Sequence, residues 1–217
     1  MGILLIFDDM PRYISVLLLS LFVISCRPKV FPPKPPGYFY IDTPSAHEYV
    51  VFDKPGFPYT FEYPVYANIT IDTMYQQMER HPYWINVNFP GLNGVINITY
   101  IDITTRHPLD SLLSDAYQLS FFHHEKAQYI DEYAFGYEKG VSGKTYVVGG
   151  NTASRYQFYA TDSVKNFMRE FLYFDVTPNA DSLKPATDFL QKDIDHMLRT
   201  LRWKDKSAPV INQQNTF

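Results

Sequence analysis

A short apolar run that ends at the single cysteine of the chain is the feature that most constrains its organisation. Residues 14–24 are apolar except for two serines, follow Arg12 and lead through Ser25 into Cys26. This run is too short to span a bilayer, which needs roughly 20 residues. A basic residue, a short apolar run and a small residue before cysteine are typical of a lipoprotein signal peptide. We therefore expect residues 1–25 to be removed and Cys26 to carry the lipid.

Two details of this segment leave alternatives. Asp8 and Asp9 are unusual in an n-region that should be positive, and Met10 follows them, so Met10 is a candidate true start. The alternative to lipidation is an ordinary buried cysteine at the end of a short core segment. In either case one cysteine excludes an internal disulfide and every multi-cysteine metal site.

The remainder of the chain divides by composition. Residues 26–36 hold five prolines, which favours an extended, semi-rigid spacer. Residues 37–205 are expected to form a single globular domain, and residues 206–217 a flexible tail. The net charge of -4 provides no basic field for a phosphate backbone, so we expect no nucleic-acid partner.

Alternating and periodic patterns predict an α+β fold, mainly an antiparallel sheet packed by two or three helices. Helices are predicted from Leu109 to about Lys126 and along the apolar positions from Leu183 to Leu201. Residues 164–175 are predicted to form a helical turn followed by a strand. Glycines at turns 140–143 and 149–151 are expected to supply positive φ. Strands are predicted at 38–42, 48–53, 59–71, 83–89, 94–103, 129–137, 145–148 and 155–160.

No pattern in the chain reaches the level of an enzyme signature. Gly143–Thr145 lacks the preceding glycine and the following helix of a phosphate-binding loop, so Lys144 is expected to be a hairpin-turn residue. His123, His124 and Glu125 are adjacent on a helix and point about 100° apart, so they cannot close on one metal ion. We therefore expect no catalytic residues, no metal site and no cofactor, although a triad set by geometry alone is left open.

Aspartates and glutamates occur in two further patterns. Asp131 and Glu132 are expected on opposite faces of a strand, which argues against paired acid and base chemistry. Four aspartates precede Ser or Thr and then an aliphatic residue or Met, a pattern that resembles an O-glycosylation sequon. Its acceptor hydroxyls are Thr73, Ser111, Ser163 and Ser182. The alternative, favoured at the last three, is that the aspartates cap helices; these are Asp110, Asp162 and Asp181.

Several motifs in combination resemble the gliding motility lipoprotein GldD family of Bacteroidota. They follow the lipobox cysteine in order: Lys34–Asp42, Phe61–Ala67, Trp84–Asn86, Phe158–Ser163 and Leu172–Phe174. The resemblance implies a cell-envelope lipoprotein needed for gliding, whose machinery is coupled to type IX secretion, and it implies no known catalytic residues. The chain also resembles the α/β/α sandwich of the PsbP/Mog1 type, which is an analogy of fold alone.

Two functions of different classes follow as expectations. The first is a non-enzymatic factor for assembly or stability of the gliding and secretion machinery, which binds partners through Tyr38, Tyr40, Tyr63 and Tyr66. The second is an envelope hydrolase or ligand-binding domain that acts on glycans or peptides. For either, we expect a lipid-anchored protein that faces the periplasm, with the outer membrane favoured over the inner.

Overall fold

A computed structural model of the chain describes residues 41–71, 83–122, 127–138 and 140–205. The expected signal peptide, spacer and C-terminal tail lie outside these residues. So do several residues singled out in the sequence, namely Cys26, Tyr38, Tyr40, Thr73, His123, His124 and Glu125.

The described residues form two α-helices and ten strands. The helices are α1 (Leu109–Phe121) and α2 (Ala180–Thr200). The strands are β1 (Tyr49–Phe52), β2 (Tyr59–Pro64), β3 (Asn68–Ile71), β4 (Ile85–Phe89), β5 (Gly94–Asp102), β6 (Tyr129–Tyr137), β7 (Val141–Gly149), β8 (Tyr156–Thr161), β9 (Asn166–Phe174) and β10 (Arg202–Trp203).

The strands assemble into two antiparallel sheets. The smaller has the order β1-β2-β10, and the larger has the order β3-β4-β5-β9-β8-β7-β6. At the centre of the larger sheet β5 pairs with β9 over their full length, from Gly94 opposite Phe174 to Asp102 opposite Asn166. Helices on antiparallel sheets confirm the predicted α+β class.

The helices cover opposite faces of the larger sheet. Met168 and Leu172 of β9 lie in the main core with the apolar face of α2, whereas Phe167 packs with Leu112 and Ala116 of α1. Successive side chains of a strand point to opposite faces, so α1 and α2 are on opposite sides of β9. The residues that α2 contributes to the core are Ala186, Leu190, Ile194, Met197, Leu198 and, just beyond it, Leu201.

Several predicted boundaries were wrong, because short interruptions carry little periodic signal. The predicted strand 59–71 is two strands, since the N–H of Ala67 donates to the C=O of Pro64 and closes a turn between them. Ile41 and Asp42 are not in a strand, and α1 ends at Phe121. The expected helical turn before β9 is a bend at residues 163–165.

Three glycines are required for two different reasons: two adopt a positive φ in turns, and one leaves room for a neighbouring strand. Gly140 and Gly150 have φ of 72° and 95°, as predicted for turns. Gly143 instead lies within β7, where an added Cβ would be 1.9 Å from the carbonyl oxygen of Tyr159. Of the predicted turn at residues 140–143, only Gly140 is therefore in a turn, and residues 141–143 belong to β7. Lys144 is a strand residue whose Nζ lies 2.9 Å from Glu132 Oε2.

The aspartates expected to cap helices do not do so. The side chain of Asn179, not Asp181, accepts the N–H of Ser182 at the start of α2. Pro108 occupies the cap position of α1, and Asp110 lies in its first turn. Asp162 Oδ1 accepts three consecutive backbone N–H groups, from residues 164–166, so it closes the bend before β9 and not a helix.

Candidate functional site

A buried carboxylate on α2, Asp193, lies at the centre of a polar cluster. Asp193 is fully buried, on the same helix face as Leu190 and Ile194. Burial of a carboxylate is costly unless hydrogen bonds compensate for the lost water. His47 Nδ1 lies 2.6 Å from Asp193 Oδ1, and the Tyr49 hydroxyl donates to the same oxygen at 3.0 Å.

The second oxygen of Asp193 accepts the hydroxyl of Tyr66. The Tyr66 ring packs between Phe89 and Phe189, with centroid distances of 6.2 and 5.9 Å. Phe189 also stacks on the His47 ring at 4.4 Å. Each donor is thus fixed by ring packing as well as by its hydrogen bond, which holds residues 47–66 against α2.

A second histidine–carboxylate pair adjoins this cluster. His196 Nε2 lies 2.6 Å from Glu62 Oε2, and the His196 ring stacks on Tyr49 with centroids 3.6 Å apart. The Glu62 backbone N–H donates to Thr200 Oγ1 at 3.0 Å. Because His196 and Glu62 are both partly exposed, this pair forms the solvent side of the cluster. We call the six residues the α2 polar cluster: His47, Tyr49, Glu62, Tyr66, Asp193 and His196.

The tyrosines of the α2 polar cluster are held as proton donors. Burial, and then the hydrogen bond to Asp193, raises the pKa of both Tyr49 and Tyr66 above the usual range for a phenol. Both hydroxyls therefore stay protonated at physiological pH and cannot act as general bases. No group of three or more His, Cys, Asp or Glu residues suited to a metal ion is found in the part of the chain that the structure describes.

The four candidate partner-binding tyrosines have different positions. Tyr38 and Tyr40 are outside the described residues. Neither Tyr63 nor Tyr66 is exposed: Tyr63 is half-buried with its ring edge on Phe61 at 6.4 Å, and the Tyr66 hydroxyl is used by Asp193. Their role in partner binding stays a prediction.

The candidate O-glycosylation hydroxyls that are described also differ. Ser111 is exposed in the first turn of α1, and Ser163 is exposed with φ of 63°. Ser182 is half-buried, and its hydroxyl donates to the C=O of Asn179 at 3.2 Å. Of these three, Ser111 and Ser163 are accessible to a modifying enzyme.

Sequence reasoning missed the α2 polar cluster, because its members are far apart in the chain. Asp193 is separated from His47 by 146 positions and from Tyr49 by 144. One signal was present in the sequence: an aspartate directly beside Ile194 on an otherwise apolar helix face. An acidic residue there predicts either a hydrogen-bonded carboxylate or a loss of stability.

A second buried carboxyl lies in the core between the sheet and α2. Glu170 is 3% exposed, opposite Ile98 and Phe158 in the sheet, and its Oε2 has no hydrogen-bond partner. Burial raises the pKa of Glu170 well above its ordinary value of 4.5. The folded protein therefore keeps this carboxyl protonated at pH values where the unfolded chain has released the proton.

We expect Glu170→Gln to change how stability depends on pH. Above about pH 4.5 folding of the natural chain takes up a proton at Glu170, so its stability falls as pH rises toward the folded-state pKa. The glutamine variant lacks this loss of stability. Its free energy of unfolding should exceed that of the natural chain by about 1–3 kcal/mol near pH 7. Urea unfolding from pH 4 to 8 measures the difference, with Glu138→Gln, at an exposed position, as control. Parallel pH profiles for all three proteins would contradict the assignment.

The observed architecture defines a class: a layered α+β domain with helices on both faces of a seven-stranded antiparallel sheet. The chain belongs to the gliding motility lipoprotein GldD family, whose family model matches residues 28–203. The resemblance noted in the sequence is thereby confirmed, and the chain is a gliding-motility lipoprotein with the lipid-anchored, cell-envelope location of that class.

The chain is also similar to solved structures. Among solved structures, the chain is similar to the solution structure of cyanobacterial PsbP from Synechocystis, with 11% sequence identity and a TM-score of 0.42. The match covers 73% of this chain and 94% of that chain. No match is found among curated proteins. None of the helices in the described ranges has the length and apolar character needed to cross a membrane.

Proposed function

We propose that this lipoprotein is not an enzyme and that it assists the assembly or stability of the gliding and type IX secretion machinery by binding one of its protein components. The observation that carries the proposal is the mutual pairing within the α2 polar cluster. His47, Tyr49 and Tyr66 all bond to Asp193, and His196 bonds to Glu62. Groups committed to one another in this way hold a structure together and have little capacity left to activate a substrate.

The position of the cluster supports a role that depends on anchoring. Residues 47–66 follow the expected spacer and are the described elements nearest in sequence to Cys26. The cluster joins them to α2, which packs in the main core. Residues 47–66 also contribute Phe52, Tyr59 and Phe61 to that core. A load transmitted through a lipid on Cys26 would therefore reach the core through the cluster and this packing together, which suits a component of a moving assembly.

The anchor, the location and the partner contacts are proposed from the sequence. The lipid on Cys26 attaches the domain to the membrane, with the domain in the periplasm and the outer membrane favoured over the inner. Tyr38, Tyr40 and Tyr63 are candidate partner contacts, whereas the Tyr66 hydroxyl is engaged by Asp193. Protein components of the motility and secretion machinery are the proposed partners.

One observation favours a second candidate function. A histidine whose Nδ1 is bonded to a buried carboxylate, as in His47 and Asp193, is the arrangement that orients a catalytic base in hydrolases. This pair supports the alternative of an envelope hydrolase or ligand-binding domain that acts on glycans or peptides. In that case His47 or His196 would be essential for activity and not only for stability.

We expect His47→Gln and His196→Gln, each made in the full lipidated chain, to leave gliding at the wild-type rate when protein levels are matched. Glutamine keeps a polar side chain but cannot relay a proton at neutral pH. Colony spreading and single-cell tracking measure gliding, and thermal unfolding reports the expected small loss of stability. Exposed His107→Gln is the matched histidine control.

Two comparisons make this test decisive. Cys26→Ser removes the lipid attachment and should release a folded domain from the membrane and stop gliding. Failure of a stable, correctly located His47 or His196 variant to glide would contradict the non-enzymatic proposal and favour the hydrolase.

A further inference from the structure

Strand β6 is an edge strand of the larger sheet. It has β7 as its neighbour and, among the described strands, no other. Its nine residues, Tyr129–Tyr137, pair in continuous register with β7 and include no proline or bulge. Edge strands without such protection offer their backbone to a further strand. Residues 131–134 in its middle are all exposed.

The hydrogen bonds of β7 show which backbone groups of β6 point outward. The N–H of Val148 donates to the C=O of Arg155 at 2.8 Å, on the side of β8. Successive residues of a strand direct their backbone groups to opposite sides, so Val147 faces β6, where it pairs with Asp131. The residues of β6 that direct N–H and C=O away from the sheet are therefore Ile130, Glu132, Ala134 and Gly136.

Aromatic side chains line one face of this edge. Tyr129 and Tyr133 are 48% and 57% exposed. Phe135 and Tyr137 stack at 5.3 Å, and the guanidinium of Arg199 on α2 lies 5.2 Å from the Tyr137 ring. Between this wall and α2 is a cavity of about 270 Å³, whose lining includes Tyr133, Phe135, Tyr156, Gln191, Asp195 and Leu198. A strand added to β6 would place alternate side chains at the mouth of this cavity.

The charge along β6 favours a basic occupant. Strand β6 contains Asp131 and Glu132 and no lysine or arginine. Lys144 on β7 pairs with Glu132, while Asp131 is exposed near the start of β6. Glu138, just beyond the strand, is followed by Lys139. Exposed aromatic rings also bind lysine and arginine through cation–π contacts. The edge, the aromatic wall and the carboxylates together suit an extended peptide with basic residues among apolar ones.

We propose that β6 binds an extended, basic peptide segment of a protein partner as an eighth strand of the larger sheet. This inference rests on the proposed function, because it names the surface through which the lipoprotein binds a component of its machinery. Main-chain hydrogen bonds would provide affinity, and the side chains facing the cavity would provide selectivity.

The test compares two substitutions at one exposed position of β6. Ala134→Pro removes an outward N–H and leaves the groups that bond to β7 in place, whereas Ala134→Val keeps that N–H. The probe is an alternating lysine–valine peptide of the length of β6, titrated into the purified full-length lipoprotein in detergent. We expect binding to the natural chain and to Ala134→Val, and a loss of about tenfold or more with Ala134→Pro.

A second proline variant and two control peptides can also refute the proposal. Gly136→Pro, at another outward position, repeats the test if Ala134→Pro unfolds on heating earlier than Ala134→Val. A peptide methylated at alternate backbone nitrogens, or one with glutamate in place of lysine, should bind poorly. Equal binding by either peptide would overturn the proposal, as would equal binding by a folded proline variant. A dimer in solution that the proline variants dissociate would also overturn it, because the occupant of β6 would then be a second copy.

Gliding separates this inference from the proposed function. Cells with folded Ala134→Pro should fail to glide, while cells with Ala134→Val glide normally. If the proline variant loses peptide binding but its cells still glide, the edge of β6 is not the partner site, and the binding function stands. The histidine variants test that function independently.

Discussion

Asp193→Ala is expected to lower the free energy of unfolding by about 3 kcal/mol, because three buried or half-buried donors lose their acceptor at once. His47, Tyr49 and Tyr66 all bond to this carboxylate, and alanine provides no acceptor in its place. Chemical denaturation of the full-length protein measures the change. Residues 47–66 should also exchange their amide hydrogens faster, because these bonds form part of their attachment to α2.

Asp188→Ala provides the matched control on the same helix. The Asp188 side chain is 55% exposed and pairs with Lys184 one turn away. Exposed pairs of this kind contribute about 0.5 kcal/mol or less. Equal losses of stability for the two alanine variants would show that the buried network does not hold the N-terminal strands to α2.

Gly143→Ala is expected to cost about 3 kcal/mol or more, at the upper end of the range for overpacked sites. The added Cβ would be 1.9 Å from the carbonyl oxygen of Tyr159 and 2.8 Å from Cζ of Phe135. Because the first of these atoms belongs to the backbone of β8, relief requires the two strands to separate. Denaturant unfolding and near-ultraviolet circular dichroism report the loss of stability and of aromatic packing.

Gly136→Ala is the control for this substitution in the neighbouring strand. An added Cβ at Gly136 meets no atom within 4 Å, and Gly136 is exposed. Alanine there should change the unfolding free energy by less than about 0.5 kcal/mol, or raise it slightly by restricting the unfolded chain. A Gly143→Ala protein as stable as Gly136→Ala would mean that β7 and β8 separate at little cost.

The sequence alone predicted the elements whose signals are local. The step of three and four from Leu183 to Leu201 predicted α2, and alternation on each side of the turn at residues 90–93 predicted the β4–β5 hairpin. The ordered motifs identified the family, as the match over residues 28–203 confirms. The placement of Asp131 and Glu132 on opposite faces of one strand also followed from periodicity, and that strand is β6.

Only the tertiary structure determined the strand order and the side-chain contacts between segments that are far apart in the chain. The sequence does not state that β5 lies beside β9 or that β6 is left at the margin, because strand order depends on crossovers and not on periodicity within each strand. Asp193 meets its partners from about 145 positions away. The sequence predicted a turn at Gly143, whereas in the structure Gly143 lies in β7, beside the Tyr159 carbonyl of β8. Local patterns set which segments form helices and strands, because they reflect the alternation of buried and exposed positions. The α2 polar cluster and the open edge arise only when segments far apart in the chain come together.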